Sequence, residues 1–266
     1  MTPTLRVGHI DLSFHDASAL VIEAILKKHG HAIERSAAPH EEMFRRMALK
    51  EVDLLVSAWL PASHGRYLEP FRDEVREIAV LYEPYCIWGV PSYVPAVVAG
   101  VSDLLREPAL SRMERLIQGI NPGAGISRFS AAIVSDYGLD AAKYEFRTGT
   151  EQDCFGRFEE AIAASRWVVI PLWHPQALHH RHKIRALDEP KGLLGGTDKA
   201  TLIIRRDAEA HIVPGALAEL EKLYIGNDQM SARDDAIRKA QALDRWHEGA
   251  IVQASDSSLI NKPAEK

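Results

Sequence analysis

The hydrophobic and polar positions at the start of the chain follow a strand and helix alternation. The first helix is indicated by Val21, Ala24 and Ile25, which recur near the helical period, and by Gly30, which stands where a helix commonly ends. The pattern predicts a strand, a helix, a strand, a helix and a strand: Leu5–Ile10, Ala17–His29, His31–Arg35, His40–Leu49 and Val52–Val56. This order is typical of a parallel sheet covered by helices.

A second unit of the same kind begins near residue 117. It predicts three strands separated by two helices: Ile117–Ile120, a helix ending near Tyr137, Lys143–Arg147, Glu151–Ser165 and Trp167–Ile170. Two such units predict two parallel sheets, each with its own helices. A chain of 266 residues is long enough for two α/β lobes of this kind.

The segments between and after these units suggest how the lobes are connected. The aromatic, proline-containing stretch Tyr82–Pro91 is expected to cross between the lobes, and Thr201–Arg205 to be the returning strand. We therefore expect residues 1–84 with 206–266 to form lobe 1 and residues 85–205 to form lobe 2. The pattern over Pro214–His247 predicts amphipathic helices packed on the outside.

Composition narrows the class of protein. A net charge of −5 and a pI near 6.2 give no reason to expect nucleic acid as a partner, and no apolar run reaches the ~20 residues of a membrane-spanning helix. No signal peptide is visible, which favours the cytoplasm, or the periplasm if a leader has been removed. Cys86 and Cys154 are expected to be buried free thiols rather than a disulfide.

Tryptophans follow the predicted third strand of each unit. Trp59 comes after the first unit's buried strand, and Trp173 comes after the corresponding strand of the second. Ligands of open parallel sheets bind beyond the carboxyl ends of the strands, and an aromatic face attracts cations such as quaternary ammonium. Each tryptophan on its own is equally compatible with half-buried packing, and the equivalent positions favour a pocket.

The segment from Gly119 to Gly125 joins a strand to a helix. Its backbone N–H groups and the positive end of the following helix suit a carboxylate or a phosphate. The segment is neither a Walker loop nor a dinucleotide fingerprint, so a nucleotide is not expected. Glycine-rich turns of this kind also occur without any ligand.

Three motifs together resemble the substrate-binding proteins of glycine betaine (osmoprotectant) ABC transporters. The motifs are Ser57-Ala58-Trp59-Leu60-Pro61-x-x-His64, Gly119-Ile120-Asn121-Pro122-Gly123-Ala124-Gly125-Ile126 and Trp173-His174-Pro175. The resemblance covers about Val7 to Arg205. It implies a type II periplasmic-binding-protein fold of two α/β lobes with a central cleft and a two-strand hinge.

The resemblance also implies roles for individual residues. Trp59 and Trp173 would stack on the cation of the ligand, while the amides of Gly119 and Ile120 and the side chain of His64 would hold its carboxylate. The implied function is capture of a small zwitterion, glycine betaine or a relative, without catalysis, metal or cofactor. The implied partner is an ABC transporter permease, with no insertion of this chain into the membrane.

The first strand-to-helix loop departs from the family pattern, which has a third tryptophan there. Leu12 is the residue that pairs with that tryptophan, and Phe14 is close by, so either is expected to form the third wall. Alternatively, Asp11 or Asp16 would meet an ammonium that carries N–H groups, which would favour an amino acid. Gln176 also replaces a histidine of the family's last motif.

Two other functions stay open at this point. The chain is compatible with a cytoplasmic solute sensor or orphan binding protein for an amino-acid-like ligand. Histidines 174, 179, 180 and 182 crowd one stretch and suggest, less favourably, a metal-dependent enzyme, although the neighbouring Arg181 and Lys183 repel a cation.

Overall fold

The computed structural model describes residues 3–240, which form two α/β lobes. The first lobe is built on a five-stranded sheet in the order β2-β1-β3-β10-β4. Its strands are β1 Leu5–Ile10, β2 Ile33–Ala38, β3 Leu54–Leu60, β4 Val75–Tyr82 and β10 Lys199–Arg205. β1 pairs in parallel with β2 and β3, whereas β10 runs antiparallel to β3 and β4.

Every residue of β3 is buried, because the strand lies at the centre of this sheet and is covered on both faces. The helices of the first lobe are α1 Ser13–Lys28, α2 His40–Ala48, α3 Gly65–Leu68 and α8 Pro214–Leu220. A further helix, α9, occupies 227–240. The remainder of the amphipathic segment predicted up to His247 lies outside the described residues.

The second lobe contains two small sheets and not one parallel sheet. Its strands are β5 Tyr85–Pro91, β6 Leu116–Gln118, β7 Glu145–Arg147, β8 Ile170–His174 and β9 Ile184–Ala186, and its helices are α4 Ala109–Arg112, α5 Gly125–Asp136, α6 Glu151–Ala163 and α7 Ala177–Arg181. Only β6 and β7 pair in parallel, and β5 lies antiparallel between β8 and β9. The prediction of a second parallel sheet was therefore wrong, because the crossing segment itself supplies the central strand.

Two segments connect the lobes. The chain leaves the first lobe after Tyr82 and returns before Lys199, with the amide of Asp198 donating to the carbonyl of Pro84. The returning strand β10 forms ladders with β3 and β4, so it belongs to the first lobe. This corrects the boundary expected at residue 205, which placed that strand in the second lobe.

Helix α9 also contacts both lobes. Asp234 accepts from Ser13 at the start of α1 and from the amide of Ala177 at the start of α7. No helix within 3–240 is long and apolar enough to span a membrane. Both cysteines are buried and free, as expected from the sequence.

A buried ion-pair network holds the strands of the first lobe together. The Asp53 carboxylate accepts from the backbone amide, Nε and Nη2 of Arg6 at 2.9, 3.1 and 2.6 Å. Arg205 of β10 lies 3.2 Å from the same carboxylate. Burial opposes ionisation of Asp53, but the bonds from Arg6 outweigh it, so its pKa is lowered. The network therefore links β1 and β10 at the start of β3.

We predict that Asp53→Ala lowers the free energy of unfolding by about 3 kcal/mol, since the buried Arg205 guanidinium then keeps only the half-exposed Asp207 carboxylate and the Arg6 donors lose their acceptor. Urea unfolding followed by circular dichroism measures this. Glu69→Ala is the control, because its carboxylate pairs with Arg72 at the surface and should leave the midpoint unchanged. Equal midpoints for the wild type and Asp53→Ala would contradict the structural role of the network.

Candidate ligand site between the lobes

The two predicted tryptophans meet at one cavity between the lobes. The cavity has a volume of about 20 Å³ and is lined from the first lobe by Trp59 and His64 and from the second by Ile120 and Trp173. None of the described residues that line it is Asp, Glu, Lys or Arg. The structure thus brings these four predicted site residues, and Leu12 and Phe14 with them, to one uncharged space with aromatic walls.

The orientation of Trp59 is fixed by Tyr82, at the point where the chain crosses to the second lobe. Its indole Nε1 donates to the hydroxyl of Tyr82 at 3.2 Å, and that hydroxyl also bonds with Ser57. Tyr82 is the last residue of β4, directly before the chain crosses to the second lobe. The face that Trp59 presents to the cavity is therefore tied to the strand that leads into the hinge.

Phe14 lies between the two tryptophans. Its ring centroid is 5.3 Å from that of Trp59 and 5.6 Å from that of Trp173. Phe14 and Leu12 both line the cavity, so both residues expected to replace the family's third tryptophan reach it. Trp173 also packs against Phe155, at 5.7 Å between centroids, and is 1% exposed. These rings form one aromatic wall contributed by both lobes.

His64 is held as a neutral hydrogen-bond donor. Its Nδ1 accepts from the backbone amide of Trp59 at 2.9 Å, which places the proton of the neutral ring on Nε2. Burial, reinforced by His40 and Arg128, lowers the pKa of His64 well below its ordinary value. The Nε2–H group therefore suits a carboxylate of the ligand, as the resemblance implied for this residue.

The structure corrects one of the two backbone amides predicted for the carboxylate site, that of Gly119. The amide of Gly119 donates to the carbonyl of Arg147 at 2.8 Å, continuing the β6–β7 pairing, so that amide is already used. Ile120 does line the cavity, together with Gly125 and Ile126 in the first turn of α5. The first amides of this 12-residue helix, where the helix dipole is positive, therefore lie beside the cavity.

Arg128 holds the two lobes together beside the cavity. Its guanidinium donates to the carbonyl of Ser63 in the first lobe and to that of Gly123 in the second, both at 2.7 Å. Tyr67 also donates to the carbonyl of Gly123 across the lobe boundary at 2.9 Å. The lobes approach so closely that a Cβ on Gly125 would lie 2.8 Å from the hydroxyl of Ser63. The structure is therefore a closed form.

Sequence reasoning missed several residues of the cavity, of which His15 and His40 carry the most chemistry. α1 begins at Ser13 and not at Ala17, and its N-cap residue is Leu12, which has an extended backbone. The earlier start was missed because leucine has no side chain that caps a helix and so gives no signal in the sequence. Phe14 and His15 consequently stand in the first helical turn. The signal that was available is the run of aromatic rings after Leu12, at the carboxyl end of a parallel strand.

The alternative ammonium partners face elsewhere. Asp16 accepts from Arg35 at 2.6 Å, and Asp11 and Asp16 line a separate polar cleft of about 680 Å³. In the histidine-rich stretch, His174 stacks on Tyr85 and His182 lies 3.6 Å from Glu159. Within the described part of the chain, no three His, Cys, Asp or Glu side chains are grouped to hold a metal ion.

A two-lobed α/β fold that encloses an aromatic, uncharged cavity at the junction of its lobes defines a solute-binding protein of the type II periplasmic class. The chain belongs to the family described as the substrate-binding domain of ABC-type glycine betaine transport systems, which it matches over residues 3–247. This confirms the family indicated by the three motifs.

The chain is similar to the glycine betaine/carnitine transport binding protein GbuC of Listeria monocytogenes serotype 1/2a (strain 10403S). The two are 24% identical over 134 residues, and the match covers 49% of this chain and 44% of that protein. The matched region thus spans less than half the length of this relative.

Two crystal structures have the same fold. Lactococcal OpuAC, closed and complexed with glycine betaine, is 23% identical with a TM-score of 0.75, over 92% of this chain and 97% of that one. The glycine/betaine/L-proline-binding protein ProX of Borrelia burgdorferi is 23% identical with a TM-score of 0.77, over 90% and 88% of the two chains. The predicted type II fold is confirmed.

The buried histidines of the cavity predict acid sensitivity. Burial is the main cause that lowers the pKa of His40 to about 4, and it lowers those of His15 and His64 well below the ordinary value. Between pH 6.5 and 4 the unfolded chain therefore binds protons that the folded protein does not. The free energy of unfolding should therefore decrease as the pH is lowered through this window, by about 1.4 kcal/mol per pH unit for each such histidine.

Urea titrations at pH 7, 6 and 5 measure the slope. Burial raises the pKa of Glu151 to about 7, so the folded protein binds a proton there that the unfolded chain does not. This makes the protein more stable as the pH is lowered and cancels the contribution of about one histidine to the slope. His40→Asn should reduce the slope by the contribution of one histidine, about 1.4 kcal/mol per pH unit. Exposed His211→Asn is the control and should leave it unchanged. A stability that does not depend on pH would show that these histidines are not buried as neutral rings.

Proposed function

We propose that this protein reversibly captures a small zwitterion, glycine betaine or a close relative, and presents it to the permease of an ABC-type transporter. Capture involves binding and closure without a chemical step. The proposal rests on the cavity between the lobes and on the family to which the chain belongs.

The observation that carries the proposal is the absence of formal charge in the described lining of an aromatic, buried cavity. A ligand with a net charge would lose its hydration there without gaining a countercharge. A zwitterion has no net charge, and its two ends need only a polarisable aromatic face and hydrogen-bond donors. Such a ligand fits what the cavity offers.

The two ends of a zwitterion have separate partners in the cavity. The faces of Trp59 and Trp173 attract a cation by about 0.5–2 kcal/mol for each well-placed ring. The Nε2–H of His64 and the first amides of α5 donate to a carboxylate, for which charge-assisted hydrogen bonds are the strong ones. Trp59 and His64 belong to one lobe, and Trp173 and α5 belong to the other.

Capture requires the lobes to move. A cavity of about 20 Å³ has room for about one water molecule, so a betaine enters only when the lobes separate. The contacts of Arg128 with Ser63 and of Tyr67 with Gly123 form when they close again. A ligand that touches both lobes favours the closed state, because only closure completes its contacts.

We predict that Trp59→Ala and Trp173→Ala each weaken the binding of glycine betaine by about 1–3 kcal/mol, through loss of the stacked cation and of apolar contact. Isothermal titration calorimetry measures the affinities, and thermal melts establish that each variant is folded. Tyr224→Ala removes an exposed aromatic ring outside the cavity and serves as the control. Unchanged affinity in both tryptophan variants would place the ligand elsewhere.

His64→Ala should weaken the binding of the ligand's carboxylate and leave the binding of its cation unchanged. The variant loses the donor to the carboxylate, so its affinity for glycine betaine should fall about 10- to 100-fold. Choline has the same trimethylammonium group without a carboxylate, so any affinity for choline should change little. An equal loss for both compounds in the same calorimetric titrations would remove His64 from the carboxylate role.

A further inference from the structure

His15 is a buried polar side chain that the protein itself leaves unpaired. It stands in the first turn of α1, lines the cavity and is 1% exposed. Neither Nδ1 nor Nε2 has a hydrogen-bond partner among the described residues. A buried polar atom without a partner costs free energy, and two such atoms on one ring facing a binding cavity are best explained by a partner that the ligand brings.

The ring of His15 is neutral, which decides what it is able to bind. Burial is the main cause that lowers its pKa well below the ordinary value, and the neighbouring His64, His40 and His9 add to the effect. A neutral imidazole has one N–H donor and one bare nitrogen that accepts. The bare nitrogen requires an N–H or O–H group from its partner, which the carboxylate of a zwitterion does not have.

The position of His15 places this acceptor beside the aromatic wall. Its ring centroid lies 4.3 Å from that of Phe14 and 5.7 Å from that of Trp59. The His15 ring also lies 6.1 Å from that of His64, so it borders both the aromatic wall and the proposed carboxylate donor. A zwitterion that stacks its cation on Trp59 and directs its carboxylate to His64 would carry its nitrogen past the His15 ring. The described lining contains no carboxylate that would compete for an N–H at this end.

A fully methylated ammonium group does not satisfy this site. Trimethylammonium presents only methyl groups, so the bare nitrogen of His15 would stay buried and unpaired when glycine betaine is bound. An ammonium that keeps one N–H and two methyl groups donates to His15 and still offers methyl groups to Trp59 and Trp173. This is the chemistry of a tertiary amine zwitterion.

We propose that His15 accepts a hydrogen bond from an N–H of the bound zwitterion, so that the protein prefers a protonated tertiary amine such as N,N-dimethylglycine to the quaternary glycine betaine. The inference rests on the proposed function, since it takes the cavity to be the site of zwitterion capture. It assigns His15 a role in choosing the ligand.

The test is a methylation series that changes only the number of N–H groups. Isothermal titration calorimetry of the full chain with glycine, sarcosine, N,N-dimethylglycine and glycine betaine gives four affinities. We expect N,N-dimethylglycine to bind best, about 10-fold or more tighter than glycine betaine, as one charge-assisted hydrogen bond provides. Tighter binding of glycine betaine than of N,N-dimethylglycine by the wild type overturns the inference and keeps the proposed function.

Variants of His15 test the residue itself. His15→Phe keeps an aromatic ring and removes the acceptor, so it should reverse the order of glycine betaine and N,N-dimethylglycine. His15→Asn keeps a donor and an acceptor and should retain the wild-type order, while His211→Phe makes the same change at an exposed site. If His15→Phe folds and keeps the wild-type ratio, His15 does not contact the N–H.

Two further outcomes are decisive. If His15→Phe does not fold, the ratio in the wild type and in His15→Asn still decides the inference, because a preference for glycine betaine in either one contradicts it. If none of the four compounds binds the wild type, the proposed function fails together with the inference.

Discussion

The site depends on one constraint: polar rings are buried between the lobes without any formal charge on the described lining. Burial keeps His15, His40 and His64 neutral, so they act as hydrogen-bonding groups and not as cations. A lysine or an aspartate in their place would bring a desolvation cost that only a countercharge could offset. In the proposed function, this neutrality favours a ligand whose own charges cancel.

The same constraint explains how closure is connected to binding. Trp59 is held by the hydroxyl of Tyr82 at the end of β4, so the strand that leads into the hinge also sets one wall of the cavity. Arg128 places its charge outside the lining, on the carbonyl groups of Ser63 and Gly123, where it links the lobes. The charge of Arg128 thus holds the closed form, and the described lining of the cavity stays free of formal charge.

Much of this arrangement follows from the sequence, and the exceptions have physical causes. That Trp59, His64 and Trp173 lie near one cavity could be predicted, because they belong to short motifs at the ends of strands. The first lobe could be predicted from the alternation of its strands and helices. The antiparallel pairing of β5 with β8 and β9 could not be predicted. An aromatic, apolar segment looks the same in the sequence whether it only crosses between the lobes or also forms a strand of the sheet. Gly119 was misassigned because the sequence does not reveal that its amide pairs with Arg147.

The central claim is that a zwitterion lies between the lobes with its two ends in the two assigned places. A crystal structure of the protein grown with N,N-dimethylglycine or glycine betaine tests it most directly. The account predicts a carboxylate oxygen within about 3 Å of Nε2 of His64 and the ligand nitrogen within about 6 Å of the ring centroids of Trp59 and Trp173. Density for the ligand in the polar cleft beside Asp16, with the aromatic cavity unchanged, would contradict it.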